Sequence, residues 1–175
     1  MKALFLSFFA LILISTPVMA AEITEEEVRA AQEEWAAGIV NIGTVYQAGG
    51  DYTQAARDHI NTLYAYEQSE VLFNPTLASD DQFRETFDEA MSYFVGGDIT
   101  EDGGFAIKPW SAVRFGEQQI ITDGDSATAM GNYFFTPAEG GAEQKVEFTF
   151  GYMRDAEGNL RINVHHSSLP YTPAG

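Results

Sequence analysis

The sequence predicts an α+β domain in which amino-terminal helices cover one face of a curved antiparallel sheet. In three stretches between residues 24 and 96, apolar residues recur every three or four positions, which is the period of a helix. After Gly104 they recur every second position, which is the period of a strand. The turns between these later stretches are short and rich in Gly and Asp, so neighbouring strands should run antiparallel. Helices followed by a run of strands are typical of α+β domains.

The first twenty residues have the features of a secretory signal peptide. Lys2 gives a positive start, an apolar run follows at 3–14, and Val18-Met19-Ala20 places small residues where a signal peptidase would cut. The run is too short for a comfortable membrane span and no second hydrophobic segment follows, so an uncleaved anchor is the weaker alternative. We therefore expect an exported protein, periplasmic or secreted, in which residues 21–175 form a single domain.

Composition restricts the partners. The 175-residue chain has a formal net charge of −17 at pH 7, and loss of Lys2 with the signal would make it more negative. Such a field repels phosphate backbones and anionic lipids, so we expect neither nucleic acid nor, after signal removal, a membrane as a partner. The chain has no cysteine, which excludes disulfides and thiolate ligands.

Two helices are predicted before residue 68. Thr24 and Glu27 have the spacing of a capping box, which starts the first helix, and its apolar stripe continues until Gly49-Gly50. A second helix is predicted from Asp51 to about Glu67. His59 on this helix is interpreted as a structural core residue.

A short extended piece and a third helix follow. Pro75 biases the residue before it away from helix, so residues 71–76 are predicted to be extended. Ser79 and Gln82 have the spacing of another capping box and would start a helix that ends at Gly96-Gly97. Tyr93 lies at the margin of the apolar stripe of this helix, where a phenol could reach a cavity. The alternative is a core tyrosine bonded to a backbone carbonyl.

Five strands are predicted after Gly104, at 106–115, 119–122, 127–136, 145–153 and 160–168. The last one is the most informative. Strict alternation would place on one face Leu160, Ile162, Val164, His166 and Ser168. An apolar face that ends in an imidazole and a hydroxyl is how a pocket acquires a few polar groups among apolar walls. The alternative is that both are ordinary core groups satisfied by hydrogen bonds.

The sequence contains none of the common catalytic motifs: no His-Glu-x-x-His helix, nucleophile elbow, phosphate loop or dinucleotide fingerprint. A zinc site made of His59, His165 and His166 is disfavoured, because adjacent strand residues point to opposite sides of a sheet. A mixed site of His166 with carboxylates stays open. The remaining candidates form a pocket of neutral groups, which are Thr76, Tyr93, His166 and Ser168.

Several segments together resemble the iota class of carbonic anhydrases. They are Leu72-Phe73-Asn74-Pro75-Thr76, Met91-Ser92-Tyr93-Phe94, Gly104-Phe105-Ala106-Ile107-Lys108-Pro109-Trp110, Met130-Gly131-Asn132-Tyr133 and His165-His166-Ser167-Ser168-Leu169-Pro170-Tyr171. The resemblance covers nearly the whole mature chain, and the double His, double Ser ending is its most specific part. It implies the nuclear-transport-factor-2-like (cystatin-like) cone, which usually dimerises, so a homodimer is expected.

The resemblance also implies reversible hydration of CO2 to bicarbonate. Several members of the class work without metal and hold the substrate with hydroxyl side chains, whereas other members use zinc or manganese. Carried over to this chain, the hydroxyl positions are Thr76, Tyr93 and Ser168, with His166 beside them. Alternation favours Ser168 over Ser167, because it shares the face of His166. The hypothesis is therefore a metal-free site, with no cofactor, in which hydroxyls position water against CO2 and His166 accepts or relays the proton.

Two other functions are alternatives to the hydration of CO2. The cone is also used for small-ligand binding and for assembly, so a non-catalytic exported binding or oligomerisation module is the first alternative. An isomerase or hydrolase of small hydrophobic molecules is the second. Such an enzyme would need a buried carboxylate base among aromatic residues, and the predicted inner strand faces show none clearly.

Overall fold

The computed structural model describes residues 21–173, so the predicted signal peptide at 1–20 lies outside the described residues. The helices are α1 (Glu25–Gln47), α2 (Tyr52–Leu63) and α3 (Phe87–Val95). The strands are β1 (Leu72–Asn74), β2 (Trp110–Asp123), β3 (Ser126–Pro137), β4 (Gln144–Arg154) and β5 (Leu160–Ser168). The predicted α+β order, with helices first and long strands afterwards, is confirmed.

The first helix begins as predicted and the second ends early. Thr24 and Glu27 make both arms of the capping box that starts α1. α2 stops at Leu63 rather than near Glu67, because Tyr64 is extended and the backbone N–H of Ala65 donates to the carbonyl of Ile162 in β5. This connection brings Tyr64 against the sheet.

The prediction that the third helix starts at Ser79 is wrong. α3 begins at Phe87, and its capping box is formed by Thr86 and Glu89. The carboxylate of Glu101 instead accepts hydrogen bonds from Ser79 and from the backbone N–H groups of the two residues after it. Residues 75–86 therefore form a loop between β1 and α3, which we call the β1–α3 loop.

The sheet has the strand order β1-β5-β4-β3-β2. The four long strands form the predicted antiparallel meander, but β1 pairs in parallel with β5, so the sheet is not wholly antiparallel. The two strands predicted at 106–115 and 119–122 are one strand, β2. A register shift between Phe115 and Gln118 inserts one extra residue there, which is a β-bulge and bends the strand.

The core lies between the helices and the inner face of the sheet. α1 contacts β2 and α2, and α2 contacts α3 and β5. Trp35 on α1 is 1% exposed and packs against Phe115, Tyr133, Phe135 and Phe150 of the sheet. None of the helices within residues 21–173 is both long and apolar enough to cross a membrane.

Candidate active site

A cavity of about 90 Å³ lies between α1, α3, the β1–α3 loop and the inner face of the sheet. Aromatic and aliphatic side chains make most of its wall. Two exposed polar side chains, Lys108 and Gln144, lie in the outer part of the lining. Five buried or half-buried polar side chains interrupt the rest of the wall, and they are Thr76, Tyr93, Tyr133, His165 and Ser167. The cavity therefore has the apolar walls and few convergent polar groups that characterise small-molecule sites.

The structure places Thr76 and Tyr93 at the cavity but not His166 and Ser168. His165 and Ser167 face inward and are 3% and 6% exposed. His166 is exposed, and the hydroxyl of Ser168 donates to Glu147 at 2.9 Å. The prediction that His166 and Ser168 occupy the pocket face is therefore wrong, and so is the preference for Ser168 over Ser167.

A β-bulge in the last strand causes this exchange. Tyr152 of β4 is opposite Ile162, but the preceding residue, Gly151, is opposite Val164, so Asn163 is one extra residue in β5. Strict alternation breaks at this residue and every later side chain changes face. The bulge also requires the glycine, because a Cβ at Gly151 would lie 2.8 Å from the Cβ of Val164.

Thr76 is joined directly to the last strand. Its hydroxyl donates to the Ser167 hydroxyl at 2.7 Å. Thr76 comes from the β1–α3 loop, directly after the buried Pro75, and is itself half-buried. The hydroxyl pair of Thr76 and Ser167 therefore joins a buried side chain at the cavity to a half-buried side chain on the loop.

Tyr133 belongs to the site, although it was not among the candidate site residues predicted from the sequence. It lies on β3 at the same two-residue period as the buried Ala127, Ala129 and Phe135, so the alternation of that strand could have found it. Its hydroxyl is 3.5 Å from Nε2 of His165, which is a long contact. The phenol and the imidazole thus approach each other in the wall of the cavity.

His165 is held from behind by a second tyrosine. The hydroxyl of Tyr64 lies 2.8 Å from Nδ1 of His165 and also accepts a hydrogen bond from Nε1 of Trp35 at 2.9 Å. Phe73 of β1 stacks on the imidazole with ring centroids 4.6 Å apart. The ring is therefore fixed in position, with Nε2 directed towards the cavity.

The five buried or half-buried polar groups of the cavity are electrically neutral near pH 7. Burial raises the pKa of the Tyr93 and Tyr133 phenols above their ordinary value, and burial lowers the pKa of His165 well below its ordinary value. Among residues 21–173 there is no group of three or more His, Asp or Glu side chains arranged to hold a metal ion. The site offers hydrogen bonds instead of charges.

The outer part of the lining is more exposed and includes one cation. Leu77 and Leu169 are 48% and 62% exposed, and Lys108 and Gln144 are also exposed. Lys108 is the one charged side chain among the residues that line this cavity. An anion that entered or left would therefore pass a positive charge on an otherwise acidic protein.

Comparison with known proteins assigns this arrangement to a family. The family model of metal-independent carbonic anhydrases matches residues 26–169. A metal-independent carbonic anhydrase from Nostoc sp. (strain PCC 7120 / SAG 25.82 / UTEX 2576) is 42% identical over 163 residues, which cover 90% of this chain and 79% of the relative.

Solved structures agree with that match. The crystal structure of an iota-carbonic anhydrase from a cyanobacterium, complexed with bicarbonate, superposes with a TM-score of 0.84 at 40% identity and covers 91% of this chain and 100% of that chain. An NTF2-like protein from Pseudomonas putida KT2440 has a TM-score of 0.56 at 17% identity, covering 85% of this chain and 87% of the other. The second match shows the fold alone, which is the expected NTF2-like cone. Together with the hydroxyl-lined cavity, these matches establish that the chain belongs to the metal-independent, iota-class carbonic anhydrases.

Proposed function

We propose that this chain hydrates CO2 reversibly to bicarbonate in the cavity formed by Thr76, Tyr93, Tyr133, His165 and Ser167. One observation carries the proposal. These five neutral polar groups converge on a single small cavity, in a chain that is 40% identical to an iota-carbonic anhydrase crystallised with bicarbonate. Hydroxyl and imidazole N–H groups are suitable donors for the oxygens of bicarbonate.

The size of the cavity favours a very small substrate. Its volume of about 90 Å³ is several times the roughly 10–15 Å³ that a cavity needs to hold one water. CO2 has three heavy atoms and bicarbonate has four, so both are small enough for such a cavity. Pockets for drug-sized molecules usually hold about 300–1,000 Å³. This difference argues against an isomerase or hydrolase of larger hydrophobic molecules.

The chemical contribution of the site is stabilisation of a developing anion. When the oxygen of water attacks the carbon of CO2, negative charge appears on the CO2 oxygens, and preorganised donors lower the energy of that charge. Removal of one such donor from other enzymes slows the reaction by about 10²–10³. Zinc lowers the pKa of bound water to about 7. A site that works through hydrogen bonds alone should therefore turn over more slowly than zinc enzymes.

The hydroxyl pair provides an exit for the proton. As the new C–O bond forms, an O–H bond of water breaks and its proton passes to the oxygen of Ser167. Ser167 gives up its own proton to the oxygen of Thr76, which lies 2.7 Å away. This transfer requires Ser167 to donate to Thr76, which is the reverse of the direction in the structure. Both hydroxyl hydrogens can rotate, so the direction of the bond can reverse. The half-buried Thr76 then transfers a proton to solvent.

The proposal is tested by stopped-flow CO2 hydration with the purified mature chain after exhaustive chelation of metals. Full activity is expected in the chelated protein, because the matched family is described as metal-independent. Loss of activity that zinc or manganese restores would reject the metal-free mechanism. A hydration rate at background would instead favour a non-catalytic binding module of the same fold.

We also infer that the chain is exported and works as a homodimer. The charge, apolar run and small residues of positions 1–20 support export. The dimer is expected from the resemblance to the NTF2-like cone. Amino-terminal sequencing of the protein from a periplasmic fraction should begin at Ala21, and light scattering of the purified protein should give twice the mass of the mature chain. A retained amino terminus or a monomeric mass would contradict the respective inference.

A further inference from the structure

A buried chain of hydrogen bonds leads from α1 to the imidazole at the cavity. Nε1 of Trp35 donates to the hydroxyl of Tyr64 at 2.9 Å, and this hydroxyl lies 2.8 Å from Nδ1 of His165. The three side chains are 1%, 1% and 3% exposed. Protein atoms must therefore satisfy their hydrogen-bonding groups, since burial keeps bulk water away.

The donors and acceptors in this chain fix the direction of each bond. The indole N–H of Trp35 can only donate, so the Tyr64 oxygen accepts there. The hydroxyl hydrogen of Tyr64 then needs an acceptor, and Nδ1 of His165 is its other partner. Nδ1 can accept only when it carries no proton, which leaves the proton of the neutral ring on Nε2. The opposite tautomer would leave the buried Tyr64 O–H without an acceptor.

We propose that Tyr64 is a positioning residue that fixes His165 as an Nε2–H hydrogen-bond donor to the substrate, and that His165 is not the base that removes the proton from water. This inference rests on the proposed function of the cavity. A nitrogen that already carries a proton cannot accept one. The imidazole therefore helps to bind the forming bicarbonate anion, while the hydroxyl pair conducts the proton.

The surroundings of the ring agree with a fixed donor. Phe73 stacks on one side at 4.6 Å, and Phe150 meets the ring edge-on at 4.2 Å. The titratable groups beside the imidazole are the phenols of Tyr64 and Tyr133. Burial lowers the pKa of His165 well below its ordinary value, and two further imidazoles, those of His166 and His59, also lower it, which keeps the ring neutral.

The direct test is the protonation of the two ring nitrogens, measured by long-range ¹H–¹⁵N NMR of the mature chain without substrate. The sequence has three histidines, so the signals can be assigned with single substitutions. We expect Nε2 of His165 to be protonated and Nδ1 to be unprotonated from pH 6 to pH 9. A proton on Nδ1, or a doubly protonated ring at pH 7, would overturn the proposal. Because the spectrum needs no turnover, this result is independent of whether the wild-type protein hydrates CO2.

A matched pair of tyrosine variants tests the role of Tyr64. Tyr64→Phe removes the hydroxyl that holds Nδ1, so both tautomers should appear and kcat should fall at least twofold with a smaller change in KM. Tyr152→Phe removes a hydroxyl from another buried tyrosine, whose oxygen has no hydrogen-bond partner among the described residues. This control should keep the wild-type tautomer and rate. A single Nε2–H tautomer and wild-type kcat in Tyr64→Phe would refute the positioning role.

Substitutions of His165 distinguish whether its imidazole acts as a hydrogen-bond donor or as a general base. In His165→Gln an amide N–H can take the place of Nε2–H, whereas His165→Leu offers no donor. If the imidazole acts as a donor, the glutamine variant should be at least tenfold more active than the leucine variant. Equal loss in two folded variants, checked by circular dichroism, would contradict the inference, because neither side chain can act as a base.

Discussion

The hydroxyl of Thr76 lies 2.7 Å from the hydroxyl of Ser167, although 91 positions separate the two residues in the chain. The bond joins the β1–α3 loop to the last strand and places both oxygens at the cavity. A loop that supplies one half of the hydroxyl pair must be held still, since a displacement of about 1 Å can cost two orders of magnitude in rate.

The two serines of the last strand provide the sharpest test of the site. Ser167→Ala removes a donor to bicarbonate and interrupts the hydroxyl pair, so kcat/KM for CO2 hydration should fall by about 10² or more. Ser168→Ala removes the same atom from a side chain that bonds to Glu147 outside the cavity, and its rate should stay within twofold of wild type. Both variants are measured by stopped flow. The opposite ranking would mean that the strand does not have the register described above.

The ion pair under the β1–α3 loop should control its position. The Arg84 side chain is fully buried, donates to both carboxylate oxygens of Asp102, and bonds to two carbonyls of the loop. Asp102→Ala leaves a buried guanidinium without its closest counter-charge, so the free energy of unfolding should fall by about 3–5 kcal/mol. Urea denaturation measures this loss. Glu143→Ala breaks a more exposed pair with Arg114 and should cost about 0–1 kcal/mol; equal losses would show that the buried pair has no special role.

Two buried histidines should make the fold sensitive to acid. Burial lowers the pKa of His59 to about 3 in the folded protein, whereas an unfolded chain has a histidine pKa of about 6.5. Below pH 6.5 the unfolded state therefore binds more protons, and stability is lost as the pH falls towards 3. The contribution of His59 between pH 6.5 and pH 5 is about 2 kcal/mol, and the lowered pKa of His165 adds to the loss.

Urea denaturation at pH 7 and pH 5 checks this sensitivity within each variant. His59→Gln should shrink the difference between the two conditions by about 2 kcal/mol, whatever its absolute stability. His166→Gln changes an exposed side chain and should change the difference by much less than His59→Gln does. An identical pH dependence in wild type and His59→Gln would show that His59 does not titrate in the way its burial implies.

Lys108 should affect bicarbonate through its charge. It lines the cavity and is exposed, and a pair of unit charges about 4 Å apart in water interacts by about 1 kcal/mol. Lys108→Gln should therefore raise the KM for bicarbonate by about fivefold at low salt, and the difference from wild type should shrink at higher ionic strength. Lys145→Gln removes an exposed positive charge that does not line the cavity and is the control. A salt-independent effect would point to a steric cause instead.

Sequence periodicity predicted the buried face of a strand correctly where the strand is regular, and it failed where one residue is inserted. On β4 the buried apolar and aromatic side chains are the ones that simple alternation selects, which are Val146, Phe148, Phe150 and Tyr152. On β5 the extra Asn163 reverses the faces before the two histidines are reached. Nothing in the local pattern of apolar residues signals such an insertion, because its partner strand is needed to define it.

Other parts of the site depend on contacts between distant segments. A capping-box pattern occurs at Ser79 and again at Thr86, and only the second is used, because Glu101 occupies the N–H groups near the first. The bond between Tyr64 and His165 joins residues 101 positions apart. Local propensity could identify candidate polar groups, but the pairs that they form are set by the tertiary fold.

The inserted Asn163 is followed, after one residue, by a pair of histidines and a pair of serines, and this repetition has a structural consequence. If the end of β5 slipped by one position, His166 and Ser168 would replace His165 and Ser167 at the cavity, and the same two functional groups would still be presented. Most strands would exchange polar for apolar chemistry after such a slip. The His-His-Ser-Ser segment therefore tolerates a one-residue shift in this direction, so deletion of one residue upstream in the strand need not remove the imidazole and the hydroxyl from the cavity.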